Sequence, residues 1–364
     1  MASNEKKVHE KVNIDCLFCN GAKPCKPHKQ HKVHCTNCPY YKPFSKKILI
    51  IKIGGMGAVV RATPLLHKLN EIYPDSKIFW LTKYPELVPK MDNIFPLMYS
   101  FESVSTLKNI NFDFVFSLDK DLDSCSLAKE LNSKVKKGFS QENGVIVPFD
   151  EDSFYKYEVG LFDDLMKTNT KKYSEDLFEV CGFKWNGEKY IAPEYKIPDI
   201  DLRTNKKIIG IQQSTSSNYG ARAISKEKLL SLIPVLKEKY EVVLFGGPDD
   251  DSLNKYLAEK TKARYFGVMP LQEFMGLVSM CDLIITPVTF AMHLAISLNK
   301  KVILLNNVLP SFEFYLYNLG VILESDIPCK WCYKSKFDKN CVKSYCLDLI
   351  KNEEILKAAQ SLLS

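Results

Sequence analysis

The chain has 364 residues, 46% of them hydrophobic, and a formal net charge of +7. At about 150 residues per domain that is enough chain for two ordinary cores, as in a large soluble enzyme. No basic, apolar-cored leader opens it, and its most apolar run, Leu283 to Leu298, contains Pro287, His293 and two threonines. The sequence therefore predicts neither a signal peptide nor a membrane span, and a cytoplasmic protein.

Residues 1–45 read as a Cys/His-rich segment of their own. Five of the twelve cysteines fall between Cys16 and Cys38, in the order C-x2-C-x5-C-x2-H-x2-H-x2-H-C-x2-C. Two C-x2-C pairs around a further cysteine and three histidines match tetrahedral zinc spacing. In a reducing compartment disulfides are the weaker reading. The expected ligands are Cys16, Cys25, Cys35 and Cys38, with Cys19 or His28 as rivals. Such a metal knuckle would tie down a segment too short for a core, and a catalytic role is not expected. Residues 1–47 also carry ten lysines against Glu5, Glu10 and Asp15, which accounts for the whole net charge. A basic head on a neutral body suits anionic lipid at a membrane face or an acidic glycan, or is a solvated tail. Its few aromatics (Phe18, Tyr40, Tyr41) match no RNA-binding signature, so no nucleic acid is expected.

Residues 46–185 read as a first Rossmann-like domain. Strands are predicted at Ile48–Ile53, Lys77–Thr82, Leu97–Phe101 and Phe112–Leu118, alternating with helical stretches. After the first strand, Gly54, Gly55 and Gly57 lead into a helix with Val59, Ala62, Leu66 and Leu69 on one face. Glycines there let backbone N–H groups approach an anionic ligand, or simply make a tight βα turn. Two better-known versions fail: no acid follows the second strand to hold a ribose, and no G-K-S/T is present. Tyr155 to Val180 reads as helices carrying Glu158, Asp163 and Asp164. Lys184 to Asn205, with Pro193 and Pro198, is a polar connection and a natural hinge.

Residues 206–328 repeat the pattern. Strands Ile208–Gln212, Glu241–Phe245, Leu283–Thr286 and Val302–Leu305 alternate with helices, one of them N-capped by Ser225. The loops after them hold Ser214, Thr215 and Ser216, then Gly246-Gly247-Pro248-Asp249, then Thr289 ahead of a helix with His293. Ligands of α/β proteins bind at the carboxyl ends of parallel strands. Hydroxyls and N–H groups at those ends suit a pyrophosphate, although each loop alone could be an ordinary capped turn. Residues 329–364 add a cysteine-rich loop and a final helix. Cys329, Cys332, Cys341 and Cys346 suit a small metal loop, without choosing between zinc, iron and paired disulfides. Cys125, Cys181 and Cys281 sit in apolar surroundings and read as core.

The stretch Gly54-Gly55-Met56-Gly57-Ala58-Val59 followed by Arg61-Ala62-Thr63-Pro64-Leu65-Leu66 resembles the amino-terminal signature of glycosyltransferase family 9, the ADP-heptose heptosyltransferases and their relatives. The similarity runs from about Lys46 onward. It implies an α/β, GT-B-type fold: two facing Rossmann-like domains with parallel sheets, here with the N-terminal Cys/His knuckle added. It implies an inverting transfer of a sugar, heptose by resemblance, from a nucleoside-diphosphate donor such as ADP-heptose to a surface glycan, lipopolysaccharide or protein acceptor. No catalytic divalent metal is expected, since nothing resembles a D-x-D site.

The resemblance assigns donor contacts to Gly54, Gly55, Gly57, Ser214, Thr215, Ser216, Arg222, Gly246, Gly247, Asp249, Met269, Thr289 and His293. Arg222 falls near the family's phosphate-contacting lysine. Some protein-directed relatives hold an iron at the second cysteine cluster. The acids of the family pattern correspond here to Ala58 and Val288, neither of which can accept the acceptor hydroxyl's proton. The base is then unassigned, with Glu158, Asp163 and Asp164 as candidates. The alternative is a catalytically inactive nucleotide-sugar-binding or assembly subunit on the same scaffold.

Overall fold

A computed structural model describes residues 12–214, 223–332 and 346–364. The chain forms two compact α/β units, and its sequence passes between them several times. The first unit takes residues up to Gly54, then Thr63–Phe154 and Glu179–Phe183; the second takes Gly55–Ala62, Tyr155–Phe178 and Lys184–Ser364.

The sheet of the first unit comprises β1 (Lys46–Ile51), β2 (Ser76–Thr82), β3 (Ile94–Met98), β4 (Phe112–Ser117), β5 (Ser133–Glu142) and β6 (Val145–Pro148). Its order is β3-β2-β1-β4-β5-β6, all parallel except the final antiparallel pair. Ile48 to Ile51 of the central β1 are fully buried, as a strand covered on both faces requires. The third strand lies earlier than its predicted Leu97–Phe101. It begins at Ile94 and carries Pro96, which an edge strand tolerates because one side of its backbone needs no partner. Ser100 ends the extended run by capping the helix Phe101–Lys108, its Oγ accepting from the Ser103 N–H at 3.3 Å.

The second sheet comprises β7 (Ile208–Gln212), β8 (Glu241–Phe245), β9 (Arg264–Tyr265), β10 (Leu283–Thr286), β11 (Lys301–Leu305) and β12 (Gly320–Leu323). Its order is β12-β11-β10-β7-β8-β9, all parallel. Ser225 caps the helix Lys226–Lys237 as predicted, accepting from the Lys228 N–H at 3.0 Å. The final helix, Asn352–Leu363, packs Ile355 and Ala359 into the same core as Leu229, Leu232 and Ile303. Residues 184–207 form no helix or strand. Part of this stretch is pinned within the second unit: the Lys196 N–H donates to the Gln272 carbonyl at 3.1 Å. Gly276 makes that approach possible, because a Cβ there would lie 2.0 Å from the Lys196 carbonyl oxygen.

In both sheets the strand order reverses beside the first strand, between β1 and β4 and between β7 and β10. In doubly wound sheets such reversals, at the carboxyl ends of the strands, are where ligands are held. Among the described residues no helix is long and apolar enough to cross a membrane.

Candidate functional site

At the reversal point of the first sheet sits a buried ion pair that sequence reasoning missed. Lys52 follows β1 and Asp119 follows β4; they are 5% and 9% exposed, and the Lys52 ammonium binds the Asp119 carboxylate. Asp119 Oδ2 also accepts from the backbone N–H of Ile53 at 2.5 Å and of Gly54 at 3.3 Å. The pair therefore locks the entry to the glycine turn. Its signal was a lysine interrupting an otherwise apolar strand end, with an aspartate at the same point of another strand.

The three glycines of the turn have different jobs. Gly55 has φ +68°, a left-handed conformation suited to glycine. Gly54 has open space where a Cβ would project. Gly57 lies in the first turn of the helix Met56–Ala62, which packs on the helix Phe290–Ser297, and a Cβ there would lie 2.7 Å from His293 Cδ2. Gly57 thus lets the helix lie against the imidazole. Ala58 and Val288 are half-buried apolar positions.

His293 is 5% exposed, and its Nδ1 has no hydrogen-bond partner among the described residues. Burial first, and the charge of Arg61 second, hold its pKa well below 6.5, so the ring is neutral near pH 7. Arg61 lies with its guanidinium carbon 3.6 Å from the centre of the Tyr173 ring, and its Nε is likewise buried and unbonded. Tyr190 stands 6.0 Å from the imidazole, ring centre to ring centre, and burial raises its phenol pKa.

At the neighbouring ends of β7 and β8, Asp250 is buried and organises the loop, while Asp249, to which the resemblance assigns a donor contact, is exposed. Asp250 accepts from Gln212 Nε2 at 3.1 Å, Ser214 Oγ at 2.5 Å and the Gly247 N–H at 3.2 Å. Burial nevertheless raises its pKa. Gly246 leaves room for this, since a Cβ there would come 2.4 Å from Asp250 Oδ2. Gln213, 1% exposed, has both amide atoms unbonded among the described residues. After β10 the Thr286 and Thr289 hydroxyls bond each other at 2.8 Å. Met269 is half-buried just before the helix Leu271–Met280.

The structure thus brings Gly57 and His293 together, and separately gathers Ser214, Gly246 and Gly247 around Asp250. Thr215, Ser216 and Arg222 lie outside the described residues. Glu158 is half-buried in the helix Phe154–Val159, while Asp163 and Asp164 are exposed in the first turn of Asp163–Thr168. None of the three is among the groups that shift His293.

Cys16, Cys19, Cys25, Cys35 and Cys38 are free thiols, and with His28 and His34 they line one cavity of about 620 Å³. Among the described residues, no three His, Cys, Asp or Glu side chains are placed to hold one ion. These side chains share one cavity. In the second cluster Cys329 is exposed, and Cys341 lies outside the described residues. Asn307 ties the flanks together: its carbonyl accepts the Trp331 N–H at 2.7 Å and its Nδ2 donates to the Cys346 carbonyl at 3.0 Å. Cys125, Cys181 and Cys281 are buried; burial pushes the thiols of Cys125 and Cys281 up to about 12, and that of Cys181 higher, as expected of core residues.

A sequence profile described as Glycosyltransferase family 9 (heptosyltransferase) matches residues 101–330. No curated protein sequence matches the chain. Among solved structures, the fold is similar to a glycosyl transferase family 9 protein from Veillonella parvula (19% identity, 88% of this chain and 98% of that one, TM-score 0.67). It is similar to the E. coli heptosyltransferase WaaC with ADP-2-deoxy-2-fluoro heptose (14% identity, 86% and 99%, TM-score 0.56). It is also similar to the iron-containing dodecameric glycosyltransferase TibC of enterotoxigenic E. coli (13% identity, 87% and 78%, TM-score 0.55). At these identities the likeness is one of fold.

Proposed function

The chain belongs to glycosyltransferase family 9, and on that premise we propose that it transfers a heptose from ADP-heptose to a surface glycan, lipopolysaccharide or protein acceptor. The observation that carries this reading is the set of unused polar groups around the second sheet's reversal point. Gln213 follows β7 and His293 lies in the helix after β10, both nearly inaccessible, and each keeps buried polar atoms without a partner among the described residues. Buried polar atoms are rarely left so, and a bound pyrophosphate would satisfy them. That the WaaC structure carries an ADP-heptose analogue supports ADP-heptose as the donor.

In such a transfer an acceptor oxygen bonds to the anomeric carbon as the bond to the diphosphate breaks, inverting the centre. The acceptor's proton passes to a base, for which Glu158, Asp163 and Asp164 are the candidates. Neutral His293 donates a hydrogen bond toward the departing charge. The reaction belongs in the cytoplasm at the inner membrane face, where the lysines of the amino-terminal segment would meet anionic lipid.

The test is turnover of a nucleotide-sugar panel, with binding of each followed calorimetrically on the same sample. Turnover of ADP-heptose supports the enzyme, and loss of turnover with retained binding on replacing Glu158, Asp163 or Asp164 identifies the base. Binding without turnover, with candidate acceptors present, supports the inactive subunit instead.

Two metal centres form the remaining part of this reading. The amino-terminal thiols would close on a structural zinc, and Cys329, Cys332, Cys341 and Cys346 on zinc or iron. The shared cavity supports the first, and the Asn307 tether supports the second. Metal content of protein purified without chelator should fall on Cys35→Ser and Cys332→Ser but not on Cys281→Ser. Metal-free wild-type protein that also fails to take up cobalt would remove both centres.

A further inference from the structure

We propose that Arg61 is a donor-positioning residue which, with His293, holds the diphosphate of the nucleotide sugar. This rests on the donor reading above and adds to it a cation supplied by the helix after the glycine turn. Arg61 is half-buried and makes no ion pair with a carboxylate among the described residues. Tyr173 holds its guanidinium plane from one side at 3.6 Å, which leaves the N–H edge as the face for a ligand. Its Nε is buried and unbonded, and so is Nδ1 of His293, whose environment its charge reaches.

A permanently charged fork beside a neutral imidazole, both short of partners, asks for an oxyanion rather than a sugar hydroxyl. A hydroxyl would leave the guanidinium charge uncompensated, whereas a phosphate accepts from both groups. The same chemistry could come from the donor's diphosphate or from an acidic group on the acceptor. Position favours the donor. Gly57 holds the helix bearing Arg61 against His293, and His293 lies in the helix that follows β10 at the second sheet's reversal point.

Calorimetry with ADP, adenosine and inorganic pyrophosphate on the full chain separates these outcomes. Arg61→Met should weaken ADP by about ten- to a hundredfold, the worth of a charge-assisted hydrogen bond. It should abolish competition by pyrophosphate, flatten the salt dependence of ADP binding and leave adenosine unchanged. Arg61→Lys, which keeps the charge without the fork, should recover part of the loss; it also serves as the test if the methionine variant does not fold. ADP binding unchanged in both variants overturns the proposal. So does an equal loss for ADP and adenosine, which would mean structural damage. A raised acceptor KM with unchanged ADP affinity overturns it in favour of the acceptor's acid. If wild-type protein binds neither ADP nor ADP-heptose, the donor reading itself fails, whatever Arg61 does.

Discussion

Replacing Gly57 by alanine tests the glycine turn most sharply. The new Cβ would sit 2.7 Å from His293 Cδ2, whereas ordinary contact begins at 3.4 Å, so 0.7 Å has to be found. The ring has little freedom to supply it, because Met292, Leu294 and Ala295 around it are fully buried. Overpacking of this kind costs about 1–3 kcal/mol, which lowers Tm by several degrees in a protein of this size. The larger effect should be on ligand binding. Moving a positioned imidazole by a fraction of an ångström can cost up to about a hundredfold in a well-placed site. Gly54→Ala is the matched control, since a Cβ there meets nothing within 4 Å and the backbone N–H to Asp119 is kept. Differential scanning fluorimetry on the pair should show Gly57→Ala destabilised and Gly54→Ala near wild type, and ADP calorimetry should show weakened binding by Gly57→Ala. Equal thermal stability of the two variants would refute the argument that Gly57 exists for His293.

Lys52→Met leaves the Asp119 charge buried with backbone N–H groups alone and should cost about 3–5 kcal/mol in urea unfolding. Adding Asp119→Asn should restore more than half of that, and a single-variant cost below about 1 kcal/mol would show that the pair is not the lock described. His293 gives a pH signature. Its folded pKa lies below the unfolded 6.5, so the unfolded chain binds the extra proton; the stability it confers is present above pH 6.5 and lost as pH falls toward the folded value. Urea midpoints measured from about pH 7.5 to about 5 should fall less steeply for His293→Asn, by at most ~1.4 kcal/mol per pH unit. Superimposable profiles would mean that the imidazole is not held neutral.

Three strands of the second sheet, β7, β8 and β10, were readable to the residue, because strands buried on both faces are unbroken apolar runs ended by polar or glycine-rich loops. Sequence reasoning failed where that signal weakens. In β5, Ser133–Glu142, lysines mix with apolar residues, β9 is two residues long, and Pro96 disguised β3. Within the site, Gly57 and His293 each stood out as motif residues, but their contact joins distant parts of the chain and no local spacing encodes it. Asp250 was hidden by its neighbours. Of three consecutive aspartates after Gly-Gly-Pro, Asp249 to Asp251, only the fold decides which turns inward, and Asp250 is the one that bonds Gln212, Ser214 and Gly247.

The interleaving of the two units bears on how this protein is made and how it can be recombined. Residues 55–62 emerge from the ribosome before most of the first unit, yet they pack on the helix Phe290–Ser297, which is synthesised far later. Val59 and Val60 of this helix are fully buried in the finished protein, and its seat on the helix Phe290–Ser297 is completed only late in translation. Cutting the gene at the midpoint to exchange halves with a relative would separate this short helix from its seat. A workable chimera would carry residues 55–62 and 155–178 along with the carboxyl-terminal half.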